Sequence, residues 1–361
     1  MTRRALDLAR KGIGLVSPNP LVGCVVVSDN GEVVGEGFYT YQGVTHAEVI
    51  ALGEAGDRAR GGIAYVSLEP HGHRGRTEPC TKALIDAGIK RVVAPIEDPN
   101  PLVSGRGFEE LRKAGVEVSV GLLAEEAAAR VNEKFCVWHT KGRPFVHLKL
   151  AMSLDGRISL KRSVSTALSG ATTLKRVHEL RHEHDAILVG GNTALVDDPA
   201  LTDRSNLPRR RPLVRVVLDD RLRLRPDSAL AATAKDIPTI VFTASSDQKT
   251  AAQLEEKGVE VARHSARDLP GVLECLRKRE LLSVLVEGGT AVAGAFCDAG
   301  LVDKVTFMFA PIVIGGDEAP NAIGGLGADS IAKALRITDL AIDRLGDDIE
   351  MTGYPFLVDS L

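Results

Sequence analysis

The chain has 361 residues, 44% of them hydrophobic, and a formal net charge of -3. That length suits two domains of about 150 residues each, and near-neutral charge with 4% aromatic residues argues against a general nucleic-acid-binding surface. Five scattered cysteines make no disulfide framework, the N-terminus lacks a signal-peptide core, and no apolar run reaches the ~18 residues of a membrane span, so a soluble cytoplasmic protein is expected.

In chain order, charged and apolar groups alternate at helical spacing over residues 3–11, with Ala5, Leu6, Leu8 and Ala9 on the buried side. SPNPLVG, two prolines bracketing Asn19, precedes an apolar strand from Leu21 to Val27. Asp29-Asn30-Gly31 signals a tight turn, so Glu32 to Phe38 should return antiparallel. Thr45 suits the N-cap of a helix beginning near His46. A strand over 63–68, a loop over 69–79, a helix from Cys80 to about Ala87 and a strand over 91–95 follow. The loop DPNPLVSGRG leads to a helix near 108–114, a strand from Val116 to Val120 and a single helix over 123–136. This alternation predicts a three-layer α/β domain. HTKGRP, at 139–144, has linker composition and places the boundary near 140–145.

A hydrolytic zinc site needs three ligands, an open fourth position and a carboxylate that does not bind the metal. The stretch from His46 to Cys80 offers His46, Glu48, His71, His73 and Cys80. His-x-Glu followed by a proline-flanked ligand pair is the signature of zinc deaminases. The usual ligand after Glu69-Pro70 is cysteine; here it is His71. His46 and Cys80 each open a helix, where the N-terminal partial charge favours a thiolate, and Glu48 in the first turn reaches the open position without ligating. Singly, His46 and Cys80 read as cap and core residues; the ordered set reads as a site. His73 is an alternative ligand and also suits substrate recognition.

From Phe145 to Ala151 a strand restarts, turning at Leu154-Asp155-Gly156-Arg157. A helix over about 171–182 and a strand over 186–190 run into GGNTALVDDPALTDR, a glycine-containing loop. Val214 to Leu218 and Thr239 to Thr243 are further strands. SVLVEGG at 283–289 is a buried strand ending in two glycines, and a helix follows, an arrangement suited to phosphate on helix N-terminal amides. It is not the G-x-G-x-x-G fingerprint, so no Rossmann domain is expected. Arg209-Arg210-Arg211 reads as a solvated loop, with a cofactor phosphate as the alternative partner.

PNPLVGCVVV, HAEVIAL, LEPHGHRGRTEPC and DPNP in the first half, with MSLDGR, VDDPALTDR, VEGGTAVAGAF and APIVIGG in the second, resemble the bifunctional deaminase/reductase family of riboflavin biosynthesis. The resemblance covers nearly the whole chain. It implies a cytidine-deaminase-like three-layer deaminase domain over 1–142 and a dihydrofolate-reductase-like α/β reductase domain over 143–361. It further implies zinc on His46, His71 and Cys80, with Glu48 as the catalytic proton shuttle. Asn19, His73, Asp98 and Asn100 would contact the phosphoribosyl pyrimidine in the deaminase half. In the reductase half Ser165, Arg181, Leu201, Arg204 and Glu287 would hold substrate. NADPH would lie along Ala151, Ala167, Thr193, Asp197, Gly289, Thr290, Ala291, Val292, Ala293, Gly294 and Ala295. The chain departs from the family at His71, where the family has cysteine, and at Ala167, where it often has tryptophan.

Of the competing readings, a reductase with a deaminase half impaired by His71 is the nearest. A nucleic-acid base deaminase is disfavoured by charge and aromatic content, and a non-catalytic binding module is separated by turnover. A homo-oligomer acting on small molecules, away from nucleic acid and membranes, is expected.

Overall fold

The computed structural model describes residues 1–42, 45–72 and 78–356. The chain divides into two compact units, Met1–Arg143 with Pro208–Arg211, and Pro144–Leu207 with Pro212–Leu361. No helix among the described residues is long and apolar enough to cross a membrane.

The first unit runs α1 (Thr2–Arg10), β1 (Gly23–Val27), β2 (Val33–Phe38), α2 (Ala47–Ala55), β3 (Ile63–Val66), α3 (Cys80–Asp86), β4 (Arg91–Ala94), α4 (Arg106–Lys113), β5 (Glu117–Val120), α5 (Ala124–Glu126) and α6 (Glu133–Thr140). Its five strands lie in the order β2-β1-β3-β4-β5. The β1–β2 and β1–β3 pairs are antiparallel; β3–β4 and β4–β5 are parallel. Strand β1, GCVVV, is buried throughout because helices cover both faces. Period-two alternation sends Cys24 and Val26 into a core with Ala47, Ala51, Leu84 and Phe108, and Val25 and Val27 towards Ala5 and Leu8 of α1. Helix α2 lies directly on β2: a Cβ at Gly35 would sit 2.0 Å from the Ala51 carbonyl, and at Gly37 2.3 Å from that of Ala47. That close approach fixes where the helix begins. Its N-cap is His46 rather than Thr45, and the His46 carbonyl accepts from the Ile50 amide at 3.1 Å.

The single helix expected over 123–136 is broken. A five-residue π turn over Ala127–Val131 separates α5 from α6, and Asn132 sits at the break. The Asn132 side chain accepts from the Leu21 amide at 2.9 Å and donates to the Leu21 carbonyl at 3.0 Å, so tertiary bonding outweighs helix propensity there. The arginine run is not simply solvated: Pro208–Arg211 groups with this unit, where the Arg210 guanidinium lies 3.4 Å from the centroid of the Tyr41 ring.

The second unit contains β6 (Phe145–Ser153), α7 (Ala171–Glu183), β7 (Ala186–Gly190), α8 (Gly191–Asp197), β8 (Val214–Leu218), α9 (Ala229–Ala232), β9 (Thr239–Thr243), α10 (Gln248–Glu256), β10 (Glu260–Arg263), α11 (Leu269–Arg277), β11 (Ser283–Val286), α12 (Thr290–Asp298), β12 (Lys304–Ala310), β13 (Arg336–Leu345) and β14 (Asp348–Phe356). The sheet order is β10-β9-β8-β7-β11-β6-β12-β14-β13, parallel from β10 to β12 and closed by an antiparallel hairpin. Alternate residues of the parallel strands enter two cores, Leu188, Val216 and Phe242 on one face and Ile187, Val217 and Val241 on the other. The segment expected as a loop after β7 contains α8, anchored by buried Ala194 and ended at Asp198 in the left-handed region.

Candidate active sites

In the first unit the three expected ligands meet. His46 caps α2, Cys80 is the first residue of α3, and His71 follows Glu69-Pro70 in the loop leaving β3. One donor atom from each of His46, His71 and Cys80 lies within 4.8 Å of the others, and the two imidazole centroids are 4.4 Å apart. Donors around a tetrahedral zinc lie ~3.5 Å apart, so a small contraction closes this set on an ion. Glu48, in the first turn of α2, is 2% exposed, and its Oε2 has no hydrogen-bond partner among the described residues. Burial pushes the Glu48 carboxyl above the usual carboxylate range, against the opposing pull of His46. Burial, and then the neighbouring Glu48, push the Cys80 thiol well up. A buried thiol beside a carboxylate is costly, and a divalent cation relieves it. The donor set, the opposed acids and the orphaned oxygen all fit zinc.

Of the other expected contacts, Asn19 is tied to this centre through Tyr39, and Asp98 and Asn100 sit together in the loop after β4. Asn19 Nδ2 donates to Tyr39 Oη at 2.7 Å, and the Tyr39 ring lies 5.3 Å from that of His46. Asp98 is buried, and its carboxylate accepts from the Asn100 amide at 2.8 Å. Burial raises the Asp98 carboxyl to about 6, with Glu69 adding to the rise against the Asn100 hydrogen bond. Asn100 in turn accepts from the Leu102 amide at 3.1 Å. His73 lies outside the described residues. Glu69, which the sequence marked only as the neighbour of a ligand, is the centre of the loop: its carboxylate takes four backbone amides. The Leu-Glu-Pro triplet could have drawn attention to a carboxylate at the mouth of a strand.

In the second unit Arg181 of α7 and Glu287, just past β11, meet each other. Arg181 Nε and Nη2 donate to the two Glu287 oxygens at 2.7 and 3.0 Å, and Arg181 Nη1 donates to the Thr202 carbonyl at 3.0 Å. Lys149 of β6, unmarked in the sequence reading, reaches Glu287 Oε2 at 3.7 Å and is 8% exposed. A lysine two residues after a histidine in the apolar strand FVHLKLAMS was the available signal. Burial alone would raise the Glu287 carboxyl, yet Lys149 and Arg181 hold it at about 2. Leu201 is buried at φ +48, and Arg204 is exposed, its Nε donating to Thr202 Oγ1 at 3.1 Å.

A cavity of about 490 Å³ is lined by Ser165, Thr193, Asp197, Gly289, Thr290, Ala291 and Val292, together with Arg162 and Asn192. Its volume suits a cofactor-sized ligand. The first turn of α12 forms one wall, with Gly289 as N-cap and no side-chain cap on the free amides, a donor set that fits phosphate. Ala151, Ala167, Ala293, Gly294 and Ala295 are not part of this lining. Ala293 lies in the core, a Cβ on Gly294 would meet Gly324 at 2.3 Å, and Ala151 packs with Val177, Leu180, Leu285 and Met308.

Two family models match. Residues 1–95 fit the cytidine and deoxycytidylate deaminase zinc-binding region, and residues 144–351 fit the RibD C-terminal domain. With the sheets and sites above, these define a bifunctional enzyme, a hydrolytic deaminase joined to a reductase. The riboflavin biosynthesis protein RibD of Aquifex aeolicus is 42% identical over 345 residues, covering 96% of this chain and 95% of its own. That of Synechocystis is 43% identical over 353 residues, covering 98% and 95%. The structure of Acinetobacter baumannii RibD superposes with a TM-score of 0.86 at 34% identity, covering 98% of each chain. A Thermotoga maritima diaminohydroxyphosphoribosylaminopyrimidine deaminase/5-amino-6-(5-phosphoribosylamino)uracil reductase gives 0.85 at 36% identity, covering 98% and 97%. The chain belongs to the RibD family of riboflavin biosynthesis proteins. The reductase-only reading is not favoured.

Proposed function

We propose that residues 1–142 deaminate diaminohydroxyphosphoribosylaminopyrimidine hydrolytically and that residues 143–361 then reduce the ribosyl side chain of 5-amino-6-(5-phosphoribosylamino)uracil to ribityl. The observation that carries the first step is the convergence of His46, His71 and Cys80 within 4.8 Å beside a buried, unpartnered Glu48 oxygen. His46, His71 and Cys80 would hold zinc, and bound zinc supplies a Lewis acid that brings a water's pKa towards ~7. Glu48 would carry one proton from the attacking water to the ring nitrogen, and then the remaining hydroxyl proton of the tetrahedral carbon to the amine, which leaves as ammonia as the carbonyl forms. Asn19, His73, Asp98 and Asn100 orient the pyrimidine and its ribose phosphate.

In the second step NADPH, when bound, supplies the hydride. Thr193, Asp197 and the segment Gly289–Val292 at the start of α12, which line the cavity, would hold it. Ser165, Leu201, Arg204 and the Arg181–Glu287 pair orient the substrate, so that positioning carries much of the catalysis. Five free cysteines support a cytoplasmic enzyme. Strand β13, an edge strand with Leu340 and Ile342 exposed, supports a homo-oligomer.

Zinc analysis with a two-stage assay on one purified preparation tests the whole reading. One zinc per chain, ammonia release and subsequent NADPH oxidation are expected; absence of zinc with no ammonia release overturns the first step. His71→Ala should weaken zinc retention by more than the ~10–100-fold that a second-sphere partner costs, read by competition with a chelator. His71→Cys should retain the metal.

Among the described residues, Arg162 and Asp197 are the charged ones that line the cavity, which makes Arg162 the candidate cation for a cofactor phosphate. Arg162→Gln should weaken NADPH binding about tenfold and flatten its salt dependence, measured by fluorescence titration. An equal loss for NADH assigns Arg162 to the shared pyrophosphate; a loss confined to NADPH assigns it to the extra phosphate. Unchanged affinity for both removes Arg162 from the site.

A further inference from the structure

Glu69 is 4% exposed and lies between strand β3 and the ligand His71. Its Oε2 accepts from the amides of Asp98 at 3.0 Å and Gly105 at 2.9 Å. Its Oε1 accepts from Gly107 at 2.9 Å and Phe108 at 3.3 Å. Helix α4 has no side-chain cap of its own, since its N-cap is Gly105 at φ +75. A carboxylate 36 residues earlier does that work, satisfying orphan amides of the first turn and complementing the helix dipole.

The docking is tight on the same side. A Cβ on Gly107 would lie 1.9 Å from the Pro70 carbonyl, so only glycine lets α4 reach the ligand loop. From α4, Glu110 Oε2 accepts from Thr81 Oγ1 at 2.7 Å, and the Thr81 amide donates to the His71 carbonyl at 3.4 Å. Thus α4 braces the segments before His71 and after Cys80, and the Glu69 side chain ties this frame to Asp98.

We propose that Glu69 is a positioning residue of the deaminase half, setting the loop that carries Asp98 and Asn100 in register with the ligand loop. This rests on the reading of Asp98 and Asn100 as pyrimidine contacts. Glutamine at 69 is nearly isosteric, but it turns an NH2 towards a pair of backbone donors, so two amides lose their acceptor.

The test compares Glu69→Gln, Asp98→Asn and the double variant in the full-length chain. Glu69→Gln should raise the deaminase KM about tenfold or more with a fall in kcat below about threefold. Zinc should stay at one per chain, and the reductase activity of the same protein should be unchanged. Hydrogen exchange at the amides of residues 98–108 should accelerate. In the Asp98→Asn background, Glu69→Gln should add little to KM, because both act through one loop. A purely structural residue would instead lose zinc and kcat together at constant KM, and that result overturns the proposal, as does unchanged exchange. If Asp98→Asn alone leaves KM unaltered, the substrate reading of the loop fails, while the exchange data still judge the tether. Glu69→Asp, which keeps the charge but withdraws it by one methylene, carries the same comparison if the glutamine variant does not fold.

Discussion

Glu48→Gln should lower the rate of ammonia release about 10²–10⁴-fold while leaving both zinc content and NADPH oxidation intact. The substitution preserves volume and shape, so the packing of α2 on the glycine-bearing strand β2 is undisturbed. What disappears is the ability to take a proton, and with it the one buried oxygen in the centre that no described residue satisfies. The three donors within 4.8 Å do not include Glu48, so metal retention is not at stake. Burial raises the Glu48 carboxyl above the usual carboxylate range, against the opposing pull of His46. The measurement is ammonia release from the diaminopyrimidine beside NADPH oxidation with the deaminated substrate, on one preparation. Equal losses in both activities would show that the variant damages the protein as a whole, and an unimpaired deaminase would remove Glu48 from the chemistry.

The legible part of this chain is the part whose chemistry is set by local spacing. His46 and Glu48 stand two apart at a helix start, and His71 and Cys80 stand nine apart across a proline-flanked loop, so residue type and order carried the centre. The main strands were equally plain, because short continuous apolar runs such as GCVVV and AILVG are what strands buried on both faces require. What escaped depends on partners distant in sequence. Glu69 looks like a loop residue until α4, 36 residues on, needs a cap. Asn132 breaks a run of good helix formers because Leu21, 111 residues away, offers an amide and a carbonyl. Lys149 looks misplaced in an apolar strand until β6 is set beside β11, which brings Glu287 level with it. Arg181 and Glu287 were each assigned to substrate, and no spacing rule could show that they hold each other.

That pairing carries the second large effect. Glu287→Gln should abolish reductase turnover and cost the second unit about 3 kcal/mol, because it leaves Lys149 and Arg181 buried without their counter-ion. Burial already holds the Lys149 ammonium below its usual range, and Glu287 is the first group opposing that fall, so its loss drives Lys149 lower still. At roughly 2–4 °C per kcal/mol for a unit of this size, the melting transition should drop by roughly 6–12 °C. The sign of the pH dependence follows from the carboxyl. Glu287 sits at about 2 in the folded chain, below the ~4.3 of an unfolded glutamate, so the unfolded chain binds the extra proton as acid is added. Its stabilisation is therefore complete above ~4.3 and is lost as the pH falls from there towards 2. The variant should lack this acid limb, so the stabilities of parent and variant should converge as the pH falls from ~4.3 towards 2, which denaturant titrations across pH 2–7 would read. A difference that stays constant across that range would mean that the Glu287 charge is not what holds Lys149 and Arg181 in place.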